Sequence, residues 1–153
     1  MKKLDIGPAE LGILSRMLRK IDFFAPLTVG QLEQVLPTVM LYAYDAGEKV
    51  FSQGQMGDAF YIVYKGSVDI KLRHWAIFSK KIATLREGEF VGETALISDE
   101  PRNATVAAAE PTMLFTLLAD DFKFVLTENP GAAEEMRRIG KRRKFASDHH
   151  AAS

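Results

Sequence analysis

Hydrophobic positions change their period twice along the chain. Leu11, Leu14, Leu18 and Ile21 recur every three or four residues, with Arg16, Arg19 and Lys20 on other faces. That spacing predicts an amphipathic helix over about residues 9–20, and Pro8 suits its first turn. Phe23-Phe24-Ala25-Pro26-Leu27 reads as a short apolar turn. Thr28-Val29-Gly30-Gln31 has the form of a capping box, which predicts a second helix over about 29–36 that stops before Pro37. From residue 38 the apolar runs shorten and glycines punctuate them: VMLYAY, KVFSQ, AFYIVY, SVDIKLR and KIATL. Val68, Ile70 and Leu72 alternate with Asp69, Lys71 and Arg73, the signature of a half-buried strand. Phe60 to Tyr64 is apolar on both faces, which predicts a central strand. After Leu118 the helical period returns. Asp120 is the expected N-cap of a helix over about 120–127 carrying Phe122, Val125 and Leu126. Asn129-Pro130 opens a last helix over about 130–146, with Ala133, Met136 and Gly140 along one face.

Helices, then seven or eight short turn-marked strands, then helices describe an α+β domain around a sandwich, jelly roll or barrel. Neither a repeat nor a linker divides it. The expected domain is 1–147, followed by a disordered tail, 148–153.

Composition narrows the chemistry. The 153 residues are 47% hydrophobic and 26% charged, so a core is expected. Twenty Lys and Arg balance twenty Asp and Glu, which removes any global pull toward nucleic acid or membrane. With no Cys, thiol catalysis, disulfides and Cys-zinc sites are excluded. A membrane span of about 20 apolar residues is not present, and Asp5, Pro8 and Glu10 break up the start as a signal peptide. The expected location is cytoplasmic.

One segment interrupts the strand texture: GEFVGETALISDEPRNATV, residues 88–106. Gly88 and Gly92 allow tight turns and close backbone approach. Thr94-Ala95-Leu96-Ile97 suits a single helical turn, whose free amides attract an anion. Pro101 ends it, and Arg102 follows with a planar fork suited to phosphate. Glu93 lies nine residues before that arginine. Two readings stand side by side: a site for a compact phosphate with a neighbouring hydroxyl, or a structural ion pair of Arg102 with Glu93 or Asp99.

The same stretch closely resembles the phosphate-binding cassette of cyclic nucleotide-binding domains. That family includes protein kinase A regulatory subunits, cyclic-nucleotide-gated channels and the catabolite activator protein. The family's pattern is a glycine, F-G-E-x-A-L, a short spacer and P-R-x-A-T-V. LRKIDFFAPLTVGQLEQVL is similar to the family's N-terminal helices, and the turns at Gly47, Gly54, Gly57-Asp58 and Gly66 to those of its roll. The resemblance implies an eight-stranded antiparallel β roll (jelly roll), flanked by N-terminal helices and by C-terminal hinge and lid helices. It implies a regulatory sensor, not an enzyme, that binds cAMP or cGMP as ligand with no cofactor and no metal. Arg102 would bind the exocyclic phosphate oxygens and Glu93 the ribose 2′-hydroxyl. The amides of Gly92 and Ala95 would help hold ribose and phosphate. Thr94 would face ribose or base, and Asn103 and Ala104 would lie beside phosphate and purine. Thr94 stands where Leu, Ile or Met is usual, and Asn103 where Ala, Ser or Thr is usual, which leaves cAMP-versus-cGMP preference open. Met136 and Ile139 are candidate lid residues over the base, weighed against ordinary helix packing.

The competing class is a cupin-like metal-dependent small-molecule enzyme, which shares the roll. It needs two or three converging His and a Glu. The three His here, 74, 149 and 150, are badly placed for that. No DNA-binding domain is expected, so the output would pass through an unidentified effector protein, and the helical ends are the candidate surface of a homodimer. Six of the eight residues 137–144 are basic. This run is either a solvated helix end or a patch for nucleic acid or acidic lipid. His74 with Trp75 falls in an expected hairpin, at the surface.

Overall fold

A proline and a capping box set the first two helices where their sequence signals stand. The computed structural model of the chain describes residues 1–74, 78–128 and 130–150, except for the side chains of residues 74, 78, 140 and 142–150. Helix α1 spans Pro8–Lys20, and α2 spans Val29–Val35. The Thr28 hydroxyl accepts from the Gln31 amide at 3.2 Å while the Gln31 side chain accepts from the Thr28 amide at 2.7 Å. Helix α2 ends before Pro37 as expected, while the chain keeps a helical turn there. A 3-10 turn, Leu36–Thr38, carries it through, because a proline in a first turn sacrifices no hydrogen bond.

Among the described residues, nine strands form two antiparallel sheets: β1 Lys2–Leu4, β2 Met40–Tyr44, β3 Lys49–Phe51, β4 Ala59–Lys65, β5 Ser67–His74, β6 Phe78–Arg86, β7 Phe90–Val91, β8 Thr105–Ala108 and β9 Thr112–Leu118. Their orders are β1-β2-β9-β4-β7 and β3-β8-β5-β6. The expected eight-strand roll is β2 to β9. The additional β1, which no period in the sequence announces, pairs with β2 at the edge. Three residues are too few for alternation to show.

β4 is central, between β9 and β7. Its two apolar faces serve two cores. Phe60 and Ile62 join Leu41, Phe115 and Leu117 against the helices, where Leu14, Leu18, Phe23, Phe24, Val35 and Phe122 are also buried. Tyr61 and Val63 turn into the roll with Phe51, Val68, Ile70, Val91, Ala104 and Val106. Phe24 stands edge-on to Phe23, Phe60 and Phe122, with ring centroids 5.3–5.6 Å apart.

A four-residue helix, α3, spans Thr94–Ile97, and the last two helices are α4 Ala119–Thr127 and α5 Pro130–His150. Asp120 is not the cap of α4. β9 runs straight into the helix at Leu118, and the Ala119 amide bonds the Asp58 carbonyl at 2.9 Å. Asp120 and Asp121 lie instead in the first turn, where negative charge suits the helix dipole. Helix α5 continues past residue 146 to His150. Trp75 in the β5–β6 connection, Asn129 and residues 151–153 of the expected tail lie outside the described residues.

Candidate functional site

Residues 88–106 cross the mouth of the roll as β7, a tight turn, α3 and the lead into β8. Gly92 makes the turn with φ +89°. A Cβ there would stand 2.8 Å from an Arg102 terminal nitrogen and 3.0 Å from the Ala59 carbonyl oxygen, so only glycine fits. Gly57 faces the same guanidinium from the opposite loop. A Cβ on it would lie 3.0 Å from the Ala95 methyl and 3.3 Å from an Arg102 terminal nitrogen.

Arg102 is the centre of the arrangement. Its side chain is 3% exposed. Backbone bonds anchor its own peptide: the Arg102 amide donates to the Gln55 carbonyl at 2.6 Å, and its carbonyl accepts from the Gly54 amide at 2.8 Å. One terminal nitrogen donates to the Ala59 carbonyl at 2.7 Å, the other to the Gly92 carbonyl at 3.5 Å. The guanidinium carbon sits 4.0 Å over the Phe51 ring and 5.9 Å from that of Tyr61. Asp58 reaches it at 3.9 Å from an 84%-exposed side chain, a solvent-screened pairing. The Arg102 Nε is buried without a hydrogen-bond partner. Burial lowers the pKa of the guanidinium, and Tyr61, Asp58 and Glu93 oppose that shift. It stays cationic at neutral pH.

Glu93 is 6% exposed and precedes α3 as its N-cap residue. Its carboxylate is one of the groups that oppose the lowering of the Arg102 pKa, after Tyr61 and Asp58. Ala95 and Ala104 are each 1% exposed, Thr94 is half-buried and Asn103 is exposed. The Ala95 amide is turned onto the Gly92 carbonyl at 3.1 Å, closing the cassette's own turn. Ala104 belongs to the interior of the roll, with Phe51 and Val106. Asp99 pairs with Lys123 at 3.3 Å, so of the two acids weighed as structural partners of Arg102, this one is engaged elsewhere. Met136 and Ile139, 0% and 7% exposed, lie in the helical cluster with Leu96, Phe122 and Val125.

Sequence spacing did not mark Phe51, Tyr61 or Ala59 as parts of the site. Each is more than 40 positions from Arg102, and strand pairing alone brings them to it. Gly57-Asp58 was visible only as a turn. Among the described residues no group of Asp or Glu is arranged to hold a metal ion, and no helix is long and apolar enough to cross a membrane. The three histidine side chains lie outside the described residues.

Known proteins match this arrangement. A cGMP-dependent protein kinase of Eimeria tenella is 30% identical over 105 residues, which are 69% of this chain and 10% of the kinase. A cyclic nucleotide-gated potassium channel of Mesorhizobium japonicum is 30% identical over 132 residues, 86% of this chain and 35% of the channel. The chain therefore spans between a tenth and about a third of these relatives. Among solved structures, the sensor domain of the transcriptional regulator DNR from Pseudomonas aeruginosa superposes with a TM-score of 0.73 at 25% identity, covering 91% of this chain and 92% of that domain. Residues 42–129, from β2 past the end of α4 and including the whole cassette, match the family model of the cyclic nucleotide-binding domain, and the chain belongs to that family.

Proposed function

We propose that the chain senses cAMP or cGMP through Arg102 and Glu93 and passes the signal to a partner through α4 and α5. The observation that carries this reading is the state of Arg102: a buried cation whose two terminal nitrogens each bond a carbonyl, whose face lies on an aromatic ring, and whose Nε is buried without a partner. Leaving a buried donor unmade costs about 1–3 kcal/mol. A cyclic phosphate offers two exocyclic oxygens to such a donor set and restores the hydrogen bonding. Glu93, buried and one residue from Gly92, supplies the acceptor for a ribose 2′-hydroxyl. Thr94 and Asn103 adjoin Glu93 and Arg102 in the chain, Ala104 packs inside the roll behind them, and the amides of Gly92 and Ala95 belong to the cassette's turn.

The chemistry is binding and not bond breaking. The α3 helix is the part of the cassette that packs against the closing helices. Leu96 of α3, Phe122 and Val125 of α4, and Met136 and Ile139 of α5 share one apolar cluster. A ligand that displaces the cassette acts on α4 and α5 through those contacts. It shifts their equilibrium only by its difference in affinity for the two arrangements. Met136 and Ile139 serve as packing residues here, and a lid role over the base requires α5 to leave this cluster. The effector and a homodimer through the helical ends belong to the same proposal.

Calorimetry with cAMP and cGMP tests it. Saturable binding at one site per chain is expected. Arg102→Ala removes charge-assisted hydrogen bonds and weakens binding by about 2–4 kcal/mol, roughly 30- to 800-fold in Kd. Unchanged affinity in this variant refutes the assignment.

A further inference from the structure

The β5–β6 hairpin carries a charge distribution that the nucleotide site does not explain. Between Asp69 and Glu87 the chain has no acidic residue, and it places Lys71, Arg73, Lys80 and Lys81 on the two strands. The whole chain is neutral, so this concentration is local. β8 pairs with β5 only over Val68–Lys71, whereas β6 follows β5 out to His74. The outer rungs therefore extend past the sheet as a two-stranded ribbon, about 10 Å long at the usual rise per residue. Gln53 finishes its inner edge by accepting from the Arg73 amide at 2.8 Å.

The register sets Lys71 directly opposite Lys81 and Lys80 opposite Leu72. Like charges across a strand pair are destabilising. Among the described residues none of these four cations forms an ion pair, and Arg73, Lys80 and Lys81 are exposed. Two cations of helix α5 are compensated. Arg137 and Arg138 are paired with Glu134 and Glu135 at 3.7 and 2.7 Å. An uncompensated local repulsion points to an anion from outside the chain.

We infer that the β5–β6 ribbon docks the domain onto an anionic phospholipid surface through Lys71, Arg73 and Lys81. Strand alternation puts Lys71, Arg73 and the facing Lys81 on one side of the ribbon and Lys80 on the other. The first side offers three cations together to a plane, and each Lys or Arg near an anionic bilayer raises partitioning by roughly fivefold. The sequence joining the strands is apolar, Trp75-Ala76-Ile77. An apolar connection flanked by cations matches the composition that a bilayer interface accommodates. The inference does not depend on nucleotide binding.

Sedimentation of the full chain with vesicles tests it. Vesicles of phosphatidylcholine with phosphatidylserine at about one third are expected to carry the protein down at 0.1 M salt, and phosphatidylcholine alone is not. Binding should fall steeply as salt shortens the screening length below about 10 Å. The double variants Lys71→Gln/Arg73→Gln and Arg73→Gln/Lys81→Gln should each lose on the order of 10- to 30-fold, with thermal melts followed by circular dichroism reporting that they are folded. Arg137→Gln/Arg138→Gln should bind vesicles like the parent. Binding that is indifferent to lipid charge overturns the inference. So does loss in the α5 variant with none in the hairpin variants, or retention by a DNA duplex as strong as by the vesicles. Failure to bind nucleotide with intact vesicle binding would instead count only against the sensor reading.

Discussion

Replacing Gly92 with alanine measures how closely the cassette backbone approaches Arg102. Gly88, four residues earlier, provides the control. Both residues have positive φ, +86° at Gly88 and +89° at Gly92. A Cβ at Gly88 meets nothing within 4 Å, whereas at Gly92 it meets the guanidinium at 2.8 Å and the Ala59 carbonyl at 3.0 Å. Gly88→Ala therefore carries conformational strain alone, about 1–2 kcal/mol. Gly92→Ala carries the same strain and also pushes the guanidinium off the Ala59 carbonyl, a bond 2.7 Å long. Losing a hydrogen bond to a charged group adds about 1.5–3 kcal/mol. The expected costs are about 1–2 kcal/mol for Gly88→Ala and about 2.5–5 kcal/mol for Gly92→Ala, read from urea midpoints at constant slope. Cyclic nucleotide affinity should be unchanged in the first and at least tenfold weaker in the second, because the donors no longer stand where the phosphate arrives. Equal stability loss and equal affinity in the two variants would refute the reasoning, since the close approach would then do nothing.

Glu93→Ala is expected to lose discrimination against 2′-deoxy cyclic nucleotides. Competition titrations in which the variant rejects the deoxy analogue as strongly as the parent would remove Glu93 from the ribose. Met136→Ala, at a fully buried position in the helical cluster, should destabilise the fold by about 2–4 kcal/mol in denaturant titration; a cost below about 1 kcal/mol would mean that α5 is not packed as described. Burial raises the phenol pKa of Tyr44 and of Tyr61 above the ordinary value near 10. Their contribution to stability is thus complete below about pH 10 and declines as pH rises toward the folded-state values. Melting temperature should fall less between pH 9 and 11 in Tyr44→Phe than in the parent, and parallel declines would contradict the burial of that hydroxyl.

Local chemistry made much of this molecule readable along the chain. Pro8, the Thr28–Gln31 box and the three-to-four spacing of Leu11, Leu14 and Leu18 act within one or two turns, so α1 and α2 stand where their residues imply. The alternation of Val68 and Ile70 with Asp69 and Lys71, the doubly apolar β4 and the Thr94–Ile97 turn are equally local. So is the cassette motif, whose order carries the family. Other features depend on partners far away in sequence. The Ala119 amide takes the Asp58 carbonyl, so α4 starts without its expected aspartate cap. β1 exists because β2 offers it an edge. Whether Met136 and Ile139 cover a ligand or fill a core follows from where α5 lies, and here it lies against α3 and α4. The floor beneath Arg102 is assembled from β3, β4 and the loop between them, and its leftover donor emerges only once those elements meet. Periodicity and capping are properties of neighbours within a few residues, whereas burial, collision and an unpaired hydrogen-bond donor are properties of atoms that only the closed sheets bring into contact.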